Sequence, residues 1–304
     1  MELINTDCFS AFETMKDKSV DMFLLDLPYN QTACKWDKDI IDLGKMWVEI
    51  KRIMKPNAII VMFCTAKFGY RLIHSNPKWF RYDLIWKKSR KVGFLSANKM
   101  PLRQHENIYV FKDKQGTYIP QKTEGKPYNK NTKGVKTDFN KAYYKTTTKY
   151  KSVENDGFRH PTSVIEHENI YVFKDKQGTY NPQKTEGKPY TMKPGANSVC
   201  DVYGVERIGS VNKGDRHPTS IIEQELENTV LEFKNPSKSI HRTQKPVELC
   251  EWLIRTYTNE NDVVCDFTMG SGTVGVACIN TKRQFIGVEK DEEIFTVAKN
   301  RINE

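Results

Sequence analysis

The chain has 304 residues, of which 38% are hydrophobic and 28% charged, and its formal net charge is +10. This composition is ordinary for a globular protein, and the length suits one large α/β domain with a smaller insert. No apolar run approaches the roughly 20 residues of a membrane span, and the N-terminus lacks a basic segment followed by an apolar one, so we expect neither a membrane anchor nor a secretory signal peptide.

The first 86 residues alternate short apolar strands with an amphipathic helix. Asp21–Leu25 predicts a strand, and residues 40–54 predict a helix that Pro56 ends. Ala58–Cys64 is a continuous apolar run, which is typical of a strand buried on both faces. Tyr82–Trp86 predicts a further strand.

The C-terminal segment, from about residue 240, has the same rhythm. Its pattern predicts a doubly wound α/β sheet, because strands that alternate with helices imply parallel pairing with helices on both faces. The predicted elements are a helix over Pro246–Thr256, a strand over Asp262–Phe267, a helix from Ser271 to Asn280, a strand over Gln284–Val288 and a helix over Asp291–Ile302.

The positive charge is concentrated in the middle of the chain. Between Lys87 and Gly195 there are 23 Lys and Arg against 10 Asp and Glu, and nine of the 14 tyrosines lie there too. Basic residues interleaved with aromatic ones indicate a nucleic-acid partner, although a solvated lysine-rich surface has the same composition.

The middle segment contains a tandem repeat. His105–Tyr128 recurs as His167–Tyr190 with a single difference, so that a unit spanning 105–166 is followed by a second copy, 167–223. Each copy holds one strand-like run, NIYVF. Because a single sheet edge can seat only one of them, we predict that one copy completes the sheet and that the other is displaced into the insert.

The first motif is Asp26-Leu27-Pro28-Tyr29, directly after the predicted strand Asp21–Leu25. Side chains at the carboxyl end of a parallel strand enter the ligand crevice. An exocyclic amine is a poor nucleophile, and a carboxylate with a neighbouring carbonyl can accept its two hydrogens and favour its lone pair. The aromatic ring suits a base rotated out of a duplex. A plain strand-end turn with a proline would show the same tetrapeptide.

The second motif is Asp266–Thr273 (DFTMGSGT), between a predicted strand and a helix. Its glycines allow a ligand close to the backbone, and the following helix N-terminus offers free N–H groups. Glu289, at the end of the next strand, can take the hydroxyls of a ribose. The pattern indicates a nucleoside-containing cofactor, and it also fits the dinucleotide fingerprint.

The third motif is His241–Pro246 (HRTQKP), which leads into a helix. Lys245 and the Thr243 hydroxyl precede the helix start, a place that suits a carboxylate such as the methionine end of a cofactor. Ordinary helix capping explains the same residues.

In this order the motifs resemble those of the beta class of DNA amino-methyltransferases, particularly the phage and prophage adenine-N6 enzymes. That family reads D-P-P-Y, H-P-T-Q-K-P and D-P-F-M-G-S-G-T. The likeness covers about 1–111 and 235–304 and implies a Rossmann-like, S-adenosylmethionine-dependent methyltransferase sheet with permuted motif order and a basic insert. The implied divisions are a catalytic half at 1–111, a target-recognition insert at 112–239 and a cofactor-binding half at 240–304.

The resemblance implies adenine-N6 methylation of double-stranded DNA in the cytoplasm of a bacterium or phage-infected host, within restriction-modification. It leaves open a homodimer and a cognate restriction enzyme as further partners. The implied catalytic residues are Asp26, Leu27, Pro28 and Tyr29. The cofactor-binding residues are Asp7, Thr243, Gln244, Lys245, Asp266, Phe267, Thr268, Met269, Gly270, Ser271, Gly272, Thr273, Glu289 and Lys290. The residues expected to contact DNA phosphates are Lys87, Lys88, Arg90, Lys91, Lys99 and Arg103.

Three residues depart from the family pattern. Leu27 replaces a proline, which keeps the carbonyl but makes the loop less rigid. Thr268 replaces a phenylalanine that packs on the cofactor, and Arg242 replaces a proline.

Three other functions stay open at this point. Cytosine-N4 enzymes use the same loop, although the acidic Asp26 favours adenine. A nicotinamide-dependent oxidoreductase would fit the glycine pattern, and a non-catalytic DNA-binding protein would fit a catalytic domain disabled by the duplication.

The seven cysteines have no metal-ligand spacing, and we expect buried, reduced thiols and no metal site.

Overall fold

The computed structural model describes most of both ends of the chain and short pieces of the insert. Within the described part of the chain, no helix has the length and apolar character that crossing a bilayer requires. The described residues group into two compact units, one formed by Met1–Ile119 with Ser163–Glu304 and the other by Pro120–Thr162. The described ranges are 1–31, 35–38, 41–124, 127–130, 153–155, 157–161, 185–186, 190–192, 199–200, 205–206, 210–212, 215–216, 231–233 and 244–303.

One eight-stranded sheet organises the larger unit. With strands numbered in chain order, its members are β1 Glu2–Asn5, β2 Val20–Leu25, β3 Met54–Cys64, β4 Phe80–Val92, β5 Arg103–Phe111, β16 Leu231–Phe233, β17 Val263–Asp266 and β18 Gln284–Glu289. Their spatial order is β1-β18-β17-β2-β3-β5-β4-β16. The pairings are parallel except that β5 runs antiparallel to both β3 and β4.

Helices cover both faces of the sheet. The first three pack on one face, around Phe12 and Ile50, and the last three pack on the other, around Leu253 and Ala277. The α-helices are α1 Cys8–Thr14, α2 Leu43–Ile53, α3 Ala66–Ser75, α4 Val247–Tyr257, α5 Thr273–Asn280 and α6 Glu292–Asn303. The doubly wound α/β prediction is confirmed.

The middle of the sheet explains the continuous apolar runs of the sequence. In β2 the side chains from Met22 to Leu25 are 0% exposed, because helices press on the strand from both sides. A parallel strand covered on both faces has no solvent side on which polar residues could alternate.

A topological switch point lies between β17 and β2. The two strands are parallel neighbours, with Val264 opposite Met22 and Cys265 opposite Phe23. From β17 the chain continues through α5 to β18, and from β2 it continues through α2 to β3 on the other side. Because α5 and α2 lie on opposite faces, a crevice opens at the carboxyl ends of β17 and β2.

The first NIYVF run, 107–111, belongs to β5 and lies inside the sheet, between β3 and β4. The second run, 169–173, lies outside the described residues. The hypothesis that one copy completes the sheet is therefore confirmed for the first copy, at an internal position rather than at an edge.

Short antiparallel strand pairs in the insert have the same register in both repeat copies. Thr123 lies opposite Arg159, and the equivalent Thr185 lies opposite Arg216. Both copies therefore pair their strands in the same way. The pairs are β6 (Thr123–Glu124) with β9 (Phe158–Arg159), β7 (Tyr128–Lys130) with β8 (Val153–Asn155), β10 (Thr185–Glu186) with β15 (Asp215–Arg216), β11 (Tyr190–Met192) with β14 (Ser210–Asn212), and β12 (Val199–Cys200) with β13 (Val205–Glu206).

Ile108→Asp and the repeat-equivalent Ile170→Asp form a matched test of which copy the sheet uses. Ile108 is 0% exposed in β5. An unpaired carboxylate there should lower the free energy of unfolding by roughly 3–5 kcal/mol, whereas Ile170→Asp should change it by less than about 1 kcal/mol. Urea denaturation measures both values. Equal losses in the two variants would contradict the assignment of β5 to the first copy.

Candidate active site

The loop after β2 brings an acidic and an aromatic side chain into the crevice. The Tyr29 hydroxyl donates to Asp26 Oδ1 at 2.5 Å. Leu27 is buried at 2% exposure and anchors the loop in the core between α1–α3 and the sheet. Burial, followed by the charge of Asp26, raises the pKa of Tyr29 well above its usual value, so the hydroxyl stays protonated as a donor.

Asp37 fixes the backbone of this loop. Its Oδ1 accepts from the backbone N–H of Tyr29 at 2.6 Å and of Asn30 at 3.0 Å, and its Oδ2 accepts from the N–H of Gln31 at 2.7 Å. Asp37 itself is 1% exposed. Leu27 stands where the family pattern has a proline, and the sequence therefore predicts a less rigid loop. In the structure, the three hydrogen bonds to Asp37 constrain the loop backbone.

The glycine turn after β17 lies beside the same loop. Thr268 Oγ1 donates to the Asp26 backbone carbonyl at 3.4 Å, and Thr268 N donates to Asp266 Oδ1 at 3.0 Å. Gly270 and Gly272 have φ values of +50° and +75°, a conformation that favours glycine. The two sequence motifs, one from each end of the chain, therefore meet at one crevice.

Glu289, at the end of β18, holds the turn from the other side. Its Oε2 accepts from Gly270 N at 3.0 Å, and its Oε1 accepts from Asp291 N at 2.9 Å. The Gly270 N–H, which a dinucleotide pyrophosphate would require, is thus already bound to a carboxylate. Asp7 caps α1 at the same edge of the sheet, where its Oδ1 accepts from Phe9 N at 2.9 Å.

The third motif joins the site through Lys245. Its Nζ lies 2.5 Å from Asp26 Oδ2 and 3.2 Å from Glu106 Oε1, and it stands 5.0 Å from the centre of the Phe63 ring. Burial alone would lower the pKa of Lys245, but Asp26 and Glu106 raise it above its usual value. The ammonium is therefore charged and committed to two carboxylates of the protein.

Glu106 is a site residue that the sequence analysis missed. It lies in β5, its side chain is 8% exposed, and Lys88 Nζ of β4 lies 2.5 Å from its Oε2. Although burial would raise the pKa of Glu106, Lys245 and Lys88 lower it to about 2. Its position just before an apolar strand run, in HENIYVF, was the only signal in the sequence.

Three acidic side chains, Asp26, Asp266 and Glu289, lie around the glycine turn. Burial is the main cause that raises the pKa of Asp266 from 3.8 to about 8, and Asp26 and Glu289 raise it further. Burial also raises the pKa of Glu289. At neutral pH the Asp266 side chain is therefore mostly protonated, and an additional anionic group such as a phosphate would be disfavoured beside Asp26 and Glu289.

The structure places the residues predicted to contact DNA in two different environments. Lys88 is turned into the site by Glu106, whereas Lys91, Lys99 and Arg103 are exposed. The side chain of Arg90 and the whole of Thr243 lie outside the described residues. The predicted roles of individual cofactor and DNA contacts stay predictions.

Among the described residues, no three or more His, Cys, Asp and Glu side chains are arranged to hold a metal ion. The cysteines with described side chains, Cys8, Cys64, Cys250, Cys265 and Cys278, are all buried and free. Burial raises the pKa of Cys8 to about 11, as expected for an inert structural thiol.

A comparison with known protein families identifies the family of the chain. The family model N6_N4_Mtase, described as DNA methylase, matches residues 20–300. The chain belongs to the N6/N4 DNA methylase family. The family and the fold are thereby confirmed, and membership of a DNA methylase family excludes the oxidoreductase alternative.

Several type II methyltransferases are similar in sequence. M.HinfI of Haemophilus influenzae is 21% identical over 99% of this chain and 68% of its own length. M1.MboII of Moraxella bovis is 21% identical over 98% and 95%. M2.LlaDCHI of Lactococcus lactis subsp. cremoris is 43% identical over a shorter stretch, 21% of this chain and 23% of its own length.

Two solved structures share the fold. The crystal structure of an M1.HpyAVI–SAM complex has a TM-score of 0.51 and 19% identity, and the match covers 100% of this chain and 99% of that one. The cytosine-N4-specific PvuII DNA methyltransferase has a TM-score of 0.52 and 12% identity, with coverage of 98% and 85%. At these identities the likeness concerns the fold alone.

Asp37→Ala should slow methyl transfer without abolishing cofactor binding. The change leaves the N–H groups of the loop without their acceptor, so the loop loses the geometry that presents Asp26. We expect a loss of roughly tenfold or more in kcat and a melting temperature lower by about 5 °C. The control, Asp17→Ala, removes an exposed ion pair with Arg52 and should change kcat little. Wild-type kcat in Asp37→Ala would contradict the positioning role.

Asp266→Asn should make stability less sensitive to alkali. Because the pKa of Asp266 is raised in the folded chain, from 3.8 to about 8, the folded state binds more protons than the unfolded state between these values. Wild-type stability therefore falls as pH rises through this window. Relative to wild type, the variant should gain roughly 1 kcal/mol per pH unit from pH 5 to pH 8, and nothing beyond. Urea denaturation across pH measures this; a constant difference would contradict it.

Proposed function

We propose that this chain transfers the methyl group of S-adenosylmethionine to the N6 amine of adenine in double-stranded DNA. The observation that carries the proposal is the position of Asp26. Its carboxylate stands at the carboxyl end of β2, and its backbone carbonyl accepts from Thr268 of the glycine turn at 3.4 Å. An acceptor for an amine and a candidate cofactor turn are thus side by side.

The residues at the glycine turn fit the cofactor. A Cβ added at Gly270 would meet nothing within 4 Å, so the space over the turn is open to a ligand. Asp266 and Glu289 supply carboxyl groups there, which suit the hydroxyls of a ribose. When bound, S-adenosylmethionine supplies an electrophilic methyl group and a neutral sulfide leaving group.

Asp26 and Leu27 prepare the amine for attack. The amine lone pair is delocalised into the ring, and acceptors for its two hydrogens favour a localised pair directed at the methyl group. We assign one hydrogen to the Asp26 carboxylate and the other to the Leu27 carbonyl. As the new N–C bond forms, the nitrogen becomes positively charged, and the carboxylate stabilises that charge and takes the departing proton.

Glu106 gives Lys245 a second partner. Both Asp26 oxygens hold a donor, Tyr29 on Oδ1 and Lys245 on Oδ2, and these donors weaken the carboxylate as an acceptor. Because Lys245 Nζ lies only 3.2 Å from Glu106 Oε1, it can move its contact to Glu106 without losing its charge compensation. That shift frees Asp26 Oδ2 for the amine.

Tyr29 provides an aromatic surface for a base, and the buried Phe68 packs against it. Their ring centres are 5.1 Å apart, and the Tyr29 hydroxyl is fixed on Asp26. A base that leaves the duplex gains a stacking surface next to the carboxylate. Adenine is favoured over cytosine by the acidic first residue of the loop, and cytosine-N4 methylation is the second candidate because the family includes both reactions.

Asp26→Asn should abolish methyl transfer and spare cofactor binding. The amide puts donors where the amine hydrogens need acceptors, and we expect a loss of at least about a hundredfold in kcat. Labelled methyl transfer to DNA measures activity, and calorimetry with S-adenosylhomocysteine measures binding. The exposed Asp113→Asn is the control. Equal methyl transfer by wild type and Asp26→Asn would contradict the role of Asp26, and no transfer by the wild type would support the non-catalytic DNA-binding alternative. Nucleoside analysis would separate N6-methyladenine from N4-methylcytosine.

The proposed activity also bears on the location of the chain and on its partners. Methylation of cellular DNA places the chain in the cytoplasm of a bacterium or an infected host. The homodimer and the cognate restriction enzyme stay predictions of the family resemblance.

A further inference from the structure

The connection between β4 and β5 exposes large apolar side chains. Phe94, Leu95 and Met100 are 56%, 70% and 53% exposed, and Val92 just before them is 38% exposed. Single exposed apolar residues are normal on a protein surface, but a group within nine positions of the chain marks a contact surface.

The turn that carries these side chains is built rather than loose. Gly93, with φ of +90°, starts a 3-10 helix at Phe94–Ser96, and the N–H groups of Lys99 and Met100 bond to the Ser96 carbonyl at 2.8 Å and 3.0 Å. Ala97, 4% exposed, and Leu102, 8% exposed, point into the protein and anchor the turn. The apolar side chains therefore face solvent because the backbone holds them there.

This turn lies at the edge of the sheet that contains the active site. β4 runs parallel to β2, so its end and the start of β5 lie at the same edge as Asp26. Lys88 of β4 and Glu106 of β5 belong to the site itself. Val92 follows Lys88 by four residues, so the turn begins roughly 13 Å beyond the site at the strand rise of 3.3 Å per residue.

The charge around the turn specifies the class of partner. Residues 87–103 include six Lys and Arg and no Asp or Glu. Lys91, Lys99 and Arg103 are exposed on either side of the apolar group. Duplex DNA is complementary to this surface, because its anionic phosphates lie outside and its apolar base stack lies within.

We propose that Phe94, Leu95 and Met100 form an apolar wedge that enters the DNA base stack and fills the space left by the target base. The inference rests on the proposed function, because a base must leave the duplex to reach Asp26. The flanking cations fix the wedge on the phosphates of the same duplex. Filling the vacated space keeps the target base out of the helix and so lowers the cost of presenting it.

The test compares paired and unpaired targets. The triple variant Phe94→Ala, Leu95→Ala, Met100→Ala is assayed on a duplex with a mapped target site and on the same duplex with an abasic position opposite the target adenine. On the paired duplex we expect a methylation rate lower by roughly tenfold to a hundredfold. On the abasic duplex the rate should lie within about threefold of wild type, because an unpaired base is already easier to extrude. Val48→Ala, equally exposed on α2, is the control.

A second measurement reports directly on whether the target base has left the base stack. With 2-aminopurine at the target position, binding of the wild type should raise the fluorescence, and binding of the triple variant should raise it several-fold less at saturation. Equal fluorescence, or equally slow methylation of the paired and abasic duplexes, overturns the wedge.

Two other outcomes are distinct. If the wild type methylates neither duplex, the proposed function fails, and the wedge proposal falls with it. If the triple variant methylates DNA normally but loses binding to anionic vesicles of phosphatidylglycerol, the surface is a membrane contact and the wedge is overturned.

Discussion

The parallel pairing of β2 with β17 is the constraint on which the site depends. The two strands come from opposite ends of the chain, and their register, with Cys265 opposite Phe23, sets Asp26 and Asp266 at adjacent points of one sheet edge. A shift of one residue in this register would move the side chains of the shifted strand to the opposite face of the sheet and so change which core each of them enters. The fold therefore fixes the distance between the amine acceptor and the glycine turn through the same contacts that form the core.

The site is held by charges that compensate one another in pairs. Lys245 neutralises Asp26 and Glu106, and Lys88 neutralises Glu106 from the other side. Among the described residues no cation forms an ion pair with Asp266, and its raised pKa reflects the cost of ionising a buried carboxyl group beside Asp26 and Glu289.

Sequence alone predicted the sheet and most of the crevice, because its signals are local. The apolar runs of β2 and β3 and the glycine turn at Gly270 carry their meaning within a few residues. Boundaries were less well predicted: the helix expected at 40–54 begins after its cap at Asp42 and ends at Ile53, where β3 follows at once.

The residues that sequence missed act through tertiary contacts. Asp37 lies in a stretch without periodicity, and only the folded loop shows that it accepts from the backbone of Tyr29. Glu106 and Lys88 lie on neighbouring antiparallel strands, so their ion pair depends on a strand register that composition cannot reveal. Lys88 was predicted to contact phosphate for the same reason: a lysine in a basic segment gives no sign of an inward partner.

The common register of the two repeat copies has a genetic consequence. Removing residues 105–166 would join Gln104 to a second HENIYVF and leave one complete hairpin unit in frame, with β5 rebuilt from the other copy. Recombination between the two repeats could thus shorten the gene and still leave a sequence able to encode the whole sheet. With two copies present, one can change in sequence while the other keeps the original one.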